Sequence, residues 1–435
     1  MSAPFHRDAA LAAHAAGMNP VDYLWSRGYV QDVSDEVGLR KALENGSISA
    51  YIGFDPTAKS LHVGHLLGVM MLASLQRFGH RPIALAGGGT TMVGDPTGKT
   101  ATRAVLGVAE IQANLASIIK QFDHYIDFAG GRFGDESPAA LLVNNADWLL
   151  ELKYIEFLRD IGRHFSVNEM LAAETYRQRL ETTGLNFVEF NYRVVQAYDF
   201  LHLFRQAGCL LQMGGSDQWG NIVAGVDLIR RVEGKEAFAL VCPLLTTTSG
   251  QKMGKTEGNS LWLDPSLTSP YEYHQFWINT EDADVAQFLR LYTFMPDDEI
   301  VDLTNVEGAA LREAKRVLAR EATAMTHGET AAVEAEAAAG RLFSANSAAD
   351  ALLDDPTLPT APVSRGAIET GMTIADLFVA AGLASSRGDA RRTAQQGGLS
   401  IGDLRVENVD EPFTGGDRPI LLRFGKKKFK RVVFE

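Results

Sequence analysis

The stretch from residue 47 to residue 89 constrains the fold most, because it alternates a strand, a helix and a second strand. Residues 47–52 (SISAYI) have β-type composition, residues 62–78 carry the apolar spacing of a helix, and residues 82–86 (PIALA) form an apolar run. Parallel strands need a long crossover connection, usually a helix, whereas antiparallel strands can be joined by a tight turn. The sequence therefore predicts an α/β fold with a parallel sheet.

Local pattern indicates two further elements. Ser34, directly before Asp35 and Glu36, is a candidate N-cap of a helix. Residues 241–245 (VCPLL) are apolar and predict a further strand.

The size and charge of the chain limit its architecture and its partners. Its 435 residues correspond to two or three domains at about 150 residues each. A total of 41 Lys and Arg against 54 Asp and Glu gives a net charge of −13, which argues against nucleic acid over most of the surface. The segment 387–435 is the exception, with eleven basic and seven acidic residues. Its basic run at 426–431 is either a contact for phosphates or a solvated strand face.

Cysteine content and hydropathy indicate the compartment. The two cysteines, Cys209 and Cys242, are too few for a disulfide framework and fit a reducing environment. The longest apolar stretch, residues 66–75, is about half of what a membrane span needs. The first residues lack the basic segment and apolar core of a secretion signal. We therefore expect a cytoplasmic protein with no membrane association.

Composition changes near the C-terminus. Residues 344–366 are rich in Ala, Asp, Pro and Ser, and Pro356, Pro359 and Pro362 recur at intervals of three. This composition is typical of a linker. It predicts a separate, compact module after residue 366.

The helix predicted at 62–78 begins with two histidines that flank a valine and a glycine, His62-Val63-Gly64-His65. A helix N-terminus offers free N–H groups and the positive end of the helix dipole, which suit a phosphate. Gly64 has no side chain, so a flat ring could lie against the backbone there. The alternative is that both histidines only cap the helix. A zinc site is less favoured, because no third ligand is evident nearby.

A second candidate segment is Lys252-Met253-Gly254-Lys255-Thr256. Its two lysines lie in a loop between apolar segments, and such a mobile loop could fold two positive charges over a polyphosphate. The spacing of a Walker loop is absent. Taken alone, the segment is better explained as an exposed basic turn.

Three polar side chains share one face of a later helix. Tyr192, Gln196 and Asp199 are spaced i, i+4 and i+7, and their apolar neighbours lie on adjacent faces. Such groups on an apolar wall are costly without hydrogen-bond partners. A polar, aromatic amino acid would supply these partners. An internally satisfied cluster is the alternative.

The histidine motif at 62–65 and the lysine motif at 252–256, in this order, resemble those of the class I aminoacyl-tRNA synthetases. Further segments narrow the resemblance to the bacterial tyrosyl-tRNA synthetase family. These segments are YIGFDPTA at 51–58, GDPTGK at 94–99, LRDIG at 158–162, HFSVN at 164–168, QAYDF at 196–200 and GGSDQWGN at 214–221.

The C-terminal module is similar to the S4 RNA-binding domain, through TIADLF at 373–378, SSRGDARR at 385–392 and GLSIG at 398–402. Arginines on one helix side and the basic run suit an RNA backbone, which is recognised through phosphate and shape. An ordinary surface helix is the alternative. The residues implied to bind tRNA are Arg387, Arg391, Arg392, Lys426, Lys427 and Lys428.

The resemblance implies a role for each of three further groups of residues. The catalytic group, at the ATP phosphates, is Thr57, His62, His65, Lys99, Arg103, Lys252, Lys255 and Thr256. The tyrosine-binding group is Tyr51, Asp95, Tyr192, Gln196, Asp199 and Gln218, with Tyr51 and Asp199 at the phenol. The ATP and adenylate group is Gly53, Asp55, Gly64, Gly215, Asp217 and Lys255.

The resemblance also implies a domain order. A Rossmann-type catalytic domain over 1–260, with a helical insertion at about 125–190, precedes an α-helical domain over 261–343. A linker over 344–366 leads to a small α+β S4-like RNA-binding domain over 367–435. The family is usually a homodimer with the insertion at the interface.

The implied activity is ligation of tyrosine to tRNA(Tyr). Tyrosine would react with ATP and Mg²⁺ to give tyrosyl-adenylate and pyrophosphate, and would then pass to the 3′ end of the tRNA. No tightly bound cofactor and no protein-bound metal are expected. Departures from the family pattern are small, at Val63, Gly254 and Thr256. The segment 89–92 (GTTM) is also less apolar than is usual in the family. Two rivals are another class I adenylate-forming enzyme, such as the tryptophanyl enzyme, and an idle RNA-binding relative.

Overall fold

The computed structural model describes residues 8–97, 107–135, 137–172, 174–182, 184–248, 253, 255–256, 259–343, 353, 358–425 and 428–435. Two units can be distinguished: Met1–Asp264 with Thr280–Leu318, and Pro265–Asn279 with Ala319–Glu435. The domain limits expected from the sequence stay a prediction.

Helices account for most of the regular structure. In chain order they are α1 (Ala9–Ala15), α2 (Pro20–Arg27), α3 (Glu36–Glu44), α4 (Val63–Arg77), α5 (Thr90–Val93), α6 (Val108–Phe122), α7 (Ala146–Leu149), α8 (Tyr154–Asp160), α9 (Val167–Ala172), α10 (Glu174–Glu181), α11 (Phe187–Ala207), α12 (Trp219–Glu233), α13 (Pro270–Ile278), α14 (Val285–Tyr292), α15 (Asp297–Thr304), α16 (Leu311–His327), α17 (Glu329–Phe343), α18 (Arg365–Glu369), α19 (Ile374–Ala380) and α20 (Arg387–Gln395). Short 3₁₀ turns lie at Gly162–His164, Ser216–Gln218, Asp282–Asp284 and Gly308–Ala310. Among the described residues, no helix is both long and apolar enough to cross a membrane.

The first unit contains a six-stranded sheet. Its strands are β1 (Asp32–Val33), β2 (Ser49–Phe54), β3 (Arg81–Ala86), β4 (Leu141–Asn144), β5 (Cys209–Gly215) and β6 (Phe238–Cys242). Their order across the sheet is β1-β6-β5-β2-β3-β4. β1 is antiparallel at one edge, and every other pair is parallel. The predicted α/β fold with a parallel sheet is confirmed.

The strand order places a crevice in the middle of this sheet. β2 has β3 on one side and β5 on the other, so the direction of winding reverses between β2 and β5. At such a switch point, a crevice forms outside the carboxyl ends of the strands. Asp55 directly follows β2, and Asp217 lies two residues after β5. The sheet therefore brings two segments of the predicted adenylate site to one edge.

The predicted start of one helix is wrong by one residue. The sequence predicts Ser34 as an N-cap, but Asp35 caps α3 through the backbone N–H of Gly38, 3.0 Å away. Ser34 is engaged in the sheet instead. Its N–H donates to the carbonyl of Ala239, and its hydroxyl accepts from the N–H of Ala239. Tertiary pairing therefore overrides a local capping signal.

The strand predicted at 241–245 is also displaced, since β6 ends at Cys242. Pro243 follows, and a proline has no N–H for the ladder between two neighbouring strands. The helix predicted at 62–78 and the strand predicted at 82–86 agree with α4 and β3 within one residue.

The second unit carries a five-stranded sheet. Its strands are β9 (Thr360–Val363), β10 (Leu399–Ile401), β11 (Leu404–Arg405), β12 (Ile420–Phe424) and β13 (Lys428–Phe434), in the order β11-β10-β12-β13-β9, while β7 (Lys255–Thr256) and β8 (Asn259–Ser260) form a separate hairpin. α19 and α20 pack on this sheet through a core that includes Leu377, Phe378 and Leu422. The predicted small α+β domain is therefore present.

The end of the predicted linker proves to be structured. The sequence predicts a linker throughout 344–366, but residues 360–363 form β9, which pairs in parallel with β13. β9 lies at the sheet edge, where Pro362 removes no interior ladder bond. A proline-rich composition is therefore compatible with both a linker and an edge strand and does not distinguish between them.

Candidate active site

The buried end of the crevice holds Tyr51 on β2 and Asp199 on α11, each 1% exposed. The Tyr51 ring packs against Phe200, with centroids 5.4 Å apart. Among the described residues, the Tyr51 hydroxyl has no hydrogen-bond partner. Burial raises the pKa of Tyr51 well above its usual value, and the charge of Asp199 adds to the rise. A ligand hydroxyl placed between these two groups would satisfy both of them.

Two donors hold the Asp199 carboxylate. The Asn145 Nδ2 donates to Oδ2 at 2.9 Å, and the Trp148 Nε1 donates to Oδ1 at 2.8 Å. Burial raises the pKa of Asp199 to about 7, against the opposing effect of these hydrogen bonds. The charge of Asp55 adds to the rise. The carboxylate is thus fixed in orientation and titrates near neutrality.

A hydrogen-bond chain links the two ends of the crevice. The Thr90 hydroxyl donates to Asp55 Oδ1 at 2.9 Å and accepts from Asn145 Nδ2 at 3.1 Å. Asn145 is fully buried and donates onward to Asp199. The Tyr192 hydroxyl lies 3.4 Å from Asp55 Oδ2. Asp55 and Asp199 are therefore parts of one polar network.

A second carboxylate, Asp95, lies beside Gln218. The Gln218 Nε2 donates to Asp95 Oδ2 at 2.8 Å, and the Thr97 N–H donates to Oδ1 at 3.0 Å. Gln196, one turn before Asp199 on α11, has a buried Oε1 with no hydrogen-bond partner among the described residues. These acceptors suit a cationic donor such as an ammonium group.

The two histidines cap α4 reciprocally. The His62 Nδ1 accepts from the Gly64 N–H at 3.0 Å, and the His65 Nδ1 accepts from the His62 N–H at 3.2 Å. Their rings stack with centroids 3.9 Å apart. A neutral imidazole that accepts at Nδ1 carries its proton on Nε2. Capping therefore selects the tautomer whose Nε2–H can donate to a phosphate oxygen.

Met253 of the lysine motif at 252–256, and residues that follow this motif, lie next to the start of α4. The Val63 N–H donates to the Leu261 carbonyl at 3.0 Å, and the backbone of His62 forms an isolated antiparallel β-bridge with that of Trp262. A Cβ built on Gly64 would lie 3.7 Å from the Met253 carbonyl and 2.8 Å from the His62 ring. The two motifs therefore share one edge of the crevice. The described part of the chain excludes Lys99, Arg103, Lys252 and Gly254, and the side chains of Lys255 and Thr256.

The remaining predicted adenylate residues border the same edge. Gly53 and Thr57 are exposed around Asp55. A Cβ on Gly215 would come 2.7 Å from Asp217 Oδ1, so any side chain there would displace that carboxylate. Within the described ranges, no cluster of three or more His, Cys, Asp or Glu side chains could hold a metal ion.

The predicted RNA-binding arginines on α20 are exposed but paired. Each forms an ion pair with a carboxylate: Arg387 with Asp376, Arg391 with Asp410 at 2.5 Å, and Arg392 with Asp389 at 3.4 Å. Lys428 is exposed, with its Nζ 5.9 Å from the Phe424 ring centroid. Lys426 and Lys427 lie outside the described residues.

Comparison with known proteins decides the family. The model for tRNA synthetases of class I (W and Y) matches residues 43–344, and the model for the C-terminal domain of SYY-like tyrosine–tRNA ligases matches residues 358–432. A tyrosine–tRNA ligase of Desulfosudis oleivorans is 50% identical over 435 residues, covering 96% of this chain and 99% of that relative. The chain belongs to the tyrosyl-tRNA synthetase family. The tyrosine–tRNA ligase of Clostridium beijerinckii is 48% identical, over 95% of this chain and 99% of its own length.

Solved structures agree with this assignment. The C-terminally truncated mitochondrial tyrosyl-tRNA synthetase of Aspergillus nidulans is 30% identical with a TM-score of 0.68, and the match covers 77% of this chain and 97% of that chain. The equivalent protein of Coccidioides posadasii is 29% identical with a TM-score of 0.64, covering 75% and 93%. The predicted fold class and the predicted tyrosine–tRNA ligase activity are confirmed.

Sequence reasoning missed three residues of this synthetase's crevice: Thr90, Asn145 and Trp148. Each touches a predicted site residue directly. Asn145 directly follows β4, at the same carboxyl edge as Asp55. The position of a polar residue just after a predicted strand could have indicated it.

Proposed function

We propose that this member of the family binds tyrosine with its phenol between Tyr51 and Asp199. The observation that carries the proposal is the buried Tyr51 hydroxyl, which lacks a described partner and lies near a buried carboxylate. A phenol hydroxyl can donate to the carboxylate and accept from Tyr51. Phenylalanine would leave both groups unpaired in a dry site, which costs free energy.

The opposite end of the amino acid would lie at Asp95. Its carboxylate, together with Gln196 and Tyr192, offers acceptors to the α-ammonium group, and Gln218 lies beside it. Gly53, Asp55, Gly215 and Asp217 would line the adenylate site, with Asp217 at the ribose. This arrangement would present the substrate carboxylate to the α-phosphate of ATP.

ATP would enter as its Mg²⁺ complex at the start of α4. The Nε2–H groups of His62 and His65 would donate to phosphate oxygens as charge moves onto the leaving pyrophosphate. Thr57 would contact the ATP phosphates beside the two histidines. Lys252 and Lys255 would close over the pyrophosphate, and we assign Lys99, Arg103 and Thr256 to it as well. The tyrosine carboxylate attacks the α-phosphorus and pyrophosphate leaves. A terminal ribose hydroxyl of tRNA(Tyr) then attacks the tyrosyl carbonyl, loses its proton and displaces AMP. Catalysis is positioning and charge stabilisation, without a covalent enzyme intermediate or a tightly bound cofactor.

The enzyme would act as a homodimer. Large apolar side chains are exposed between residues 150 and 188: Leu150, Tyr154, Ile155, Phe187 and Val188. Exposed apolar groups concentrated in one segment are typical of a protein interface. We expect Ile155→Glu to convert the dimer to a monomer in analytical ultracentrifugation. A dimer that persists in that variant would place the interface elsewhere.

We also place the enzyme in the cytoplasm, supported by its two cysteines. Cys209 begins β5 and Cys242 ends β6, and both are buried thiols. Free buried cysteines are typical of a reducing compartment.

Pyrophosphate exchange with each of the twenty amino acids tests the pocket. We expect exchange with tyrosine, and a loss of selection against phenylalanine in Tyr51→Phe and Asp199→Asn. Tyr23→Phe is a matched control, because the Tyr23 hydroxyl is also buried without a hydrogen-bond partner among the described residues but lies on α2. Unchanged selection in both pocket variants would overturn the proposed orientation of tyrosine.

A further inference from the structure

Arg193 is a buried cation next to the proposed tyrosine pocket. It follows Tyr192 on α11 and is 8% exposed. Its guanidinium carbon lies 4.7 Å from the centroid of the Tyr176 ring, and burial lowers its pKa. Its Nε donates to the amide oxygen of Asn221 at 3.4 Å. A buried guanidinium is costly, so a contact with a neutral amide calls for an explanation.

Asn221 continues a directed chain of hydrogen bonds. Its Nδ2 donates to the Gln218 Oε1 at 3.1 Å. The Gln218 Nε2 in turn donates to Asp95 Oδ2 at 2.8 Å. The chain therefore runs from Arg193 on α11, through α12, to the carboxylate at the ammonium end of the pocket.

The two ends of this chain determine how both amides are oriented. A guanidinium can only donate, so it selects the oxygen of Asn221 and turns the Nδ2 toward Gln218. The Asn221 Nδ2 then selects the oxygen of Gln218, which leaves Nε2 for the carboxylate, a group that can only accept. Reversing the Gln218 amide would place its oxygen against Asp95. Without Arg193, the order of the two amides would be imposed from the Asp95 end alone.

The backbone beside this chain of hydrogen bonds has room for the Arg193 guanidinium only because residue 220 is a glycine. A Cβ built on Gly220 would lie 2.8 Å from the Arg193 Nη2. The guanidinium therefore fits against the first turn of α12, between Gln218 and Asn221 in the sequence. A glycine here lets the cation approach the helix that carries both amides.

We propose that Arg193 is a positioning residue for the α-ammonium end of the pocket, acting through Asn221 and Gln218 on Asp95. The inference rests on the proposed assignment of Asp95 to the substrate ammonium group. It predicts that loss of Arg193 weakens binding of ligands that carry this ammonium group and spares ligands that lack it.

Binding of three ligands by the full-length enzyme tests this. Tyrosine and tyramine carry the ammonium group, whereas 3-(4-hydroxyphenyl)propionate keeps the phenol and lacks it. In Arg193→Met we expect the Kd of tyrosine and tyramine to rise about tenfold, the effect of one well-placed hydrogen bond. We expect the Kd of 3-(4-hydroxyphenyl)propionate, and the KM for ATP, to change by less than about twofold.

Three further variants separate positioning from general stability. Asn221→Leu breaks the same chain, and the double variant should be no worse than either single one, because both interrupt one path. Arg193→Lys keeps a group that can only donate, and should recover part of the tyrosine affinity. Arg205→Met is a matched control, since Arg205 also lies on α11 but pairs with Glu233 at a half-exposed site.

Each outcome is decisive. Equal loss for all three ligands, or no recovery in Arg193→Lys, would make Arg193 a merely structural residue and overturn the inference. If Arg193→Met does not fold, Asn221→Leu takes its place, because it breaks the same chain: tyrosine and tyramine should again lose affinity relative to 3-(4-hydroxyphenyl)propionate. Asp95→Asn distinguishes the two proposals through the ratio of the Kd for tyrosine to the Kd for 3-(4-hydroxyphenyl)propionate. If this ratio is unchanged in Asp95→Asn, the assignment of Asp95 to the ammonium group is overturned. If it changes in Asp95→Asn but not in Arg193→Met, only the positioning role of Arg193 is overturned.

Discussion

The indole Nε1 of Trp148 donates a 2.8 Å hydrogen bond to Oδ1 of Asp199, the carboxylate that we assign to the substrate phenol. The indole ring stacks on His202, with centroids 4.3 Å apart and planes at 13°. Because Asn145 holds the other oxygen at 2.9 Å, the plane of the carboxylate is fixed from both sides. On this assignment, selection of tyrosine would depend on two residues outside the predicted tyrosine-binding group.

Trp148→Phe should weaken that selection. Phenylalanine keeps an aromatic ring against His202 and removes only the Nε1–H donor. Loss of one hydrogen bond to a charged group should lower the ratio of kcat/KM for tyrosine over phenylalanine by about tenfold. Steady-state pyrophosphate exchange measures both values. A ratio equal to that of the unaltered enzyme would show that Trp148 does not orient Asp199.

The raised pKa of Asp199 predicts a pH-dependent selection. Below about pH 7 the carboxyl of the free enzyme is protonated, and a neutral acceptor binds the phenol less strongly than a carboxylate does. The preference for tyrosine over phenylalanine should therefore fall as the pH decreases from 8 to 6. The kcat/KM profile reports the free enzyme. Asp199→Asn should give a low, flat ratio; a ratio that still falls in that variant would assign the titration to another group.

The same shift affects stability with the opposite sign. The folded pKa of Asp199 lies above its unfolded value, so the native state binds the proton more tightly. The contribution of this group to the free energy of unfolding is therefore fully present below about pH 4 and is lost as the pH rises through about 7.

Local sequence predicts part of this pocket and not the rest. The i, i+4, i+7 spacing correctly places Tyr192, Gln196 and Asp199 on the single helix α11. Asn145 and Trp148 lie 54 and 51 residues before Asp199. Periodicity describes the faces of one element and says nothing about which distant element packs on them. The supporting contacts of a site are therefore the part that sequence patterns miss.

Arg27 shows the same limit in the scaffold. It is 2% exposed on α2, and its guanidinium donates to four backbone carbonyls around the end of α14. These acceptors are the carbonyls of Leu289, Arg290, Thr293 and Met295, at 2.6 to 3.2 Å. Carbonyls at a helix end have no partner within the helix, so a distant side chain supplies one. No local pattern near residue 27 indicates this contact.

Arg27→Met should accordingly destabilise the first unit strongly. It leaves several buried carbonyls unpaired, at roughly 1–3 kcal/mol each, so we expect a loss of at least about 3 kcal/mol. Urea unfolding followed by fluorescence measures the loss. Arg205→Met, which breaks a half-exposed ion pair, should cost less than about 1 kcal/mol. Similar midpoints for the two variants would contradict this function of Arg27.

The charge of the C-terminal module shows a further difference between sequence and structure. Counting basic residues predicts an attractive face for RNA, but on α20 each arginine already has a carboxylate partner. Which acidic residue folds next to Arg391 depends on the loop that carries Asp410, 19 residues away. The binding contribution of these arginines therefore depends on acidic neighbours that net charge does not identify.

Asp410→Asn should therefore strengthen binding of tRNA. Arg391 and Asp410 are 51% and 54% exposed, and an ion pair this exposed contributes little to the stability of the fold. The substitution should leave thermal stability nearly unchanged, while it frees the Arg391 guanidinium for a phosphate and removes a nearby negative charge. We expect affinity at low salt to rise several-fold, and the slope of log K against log salt to steepen by roughly one ion. Asp417→Asn removes one negative charge from the same module and leaves the Arg391 pair intact, so it separates this contact from general electrostatics. If both variants gain equally, or if the salt slope does not change, then Arg391 does not contact the tRNA backbone and α20 is an ordinary surface helix.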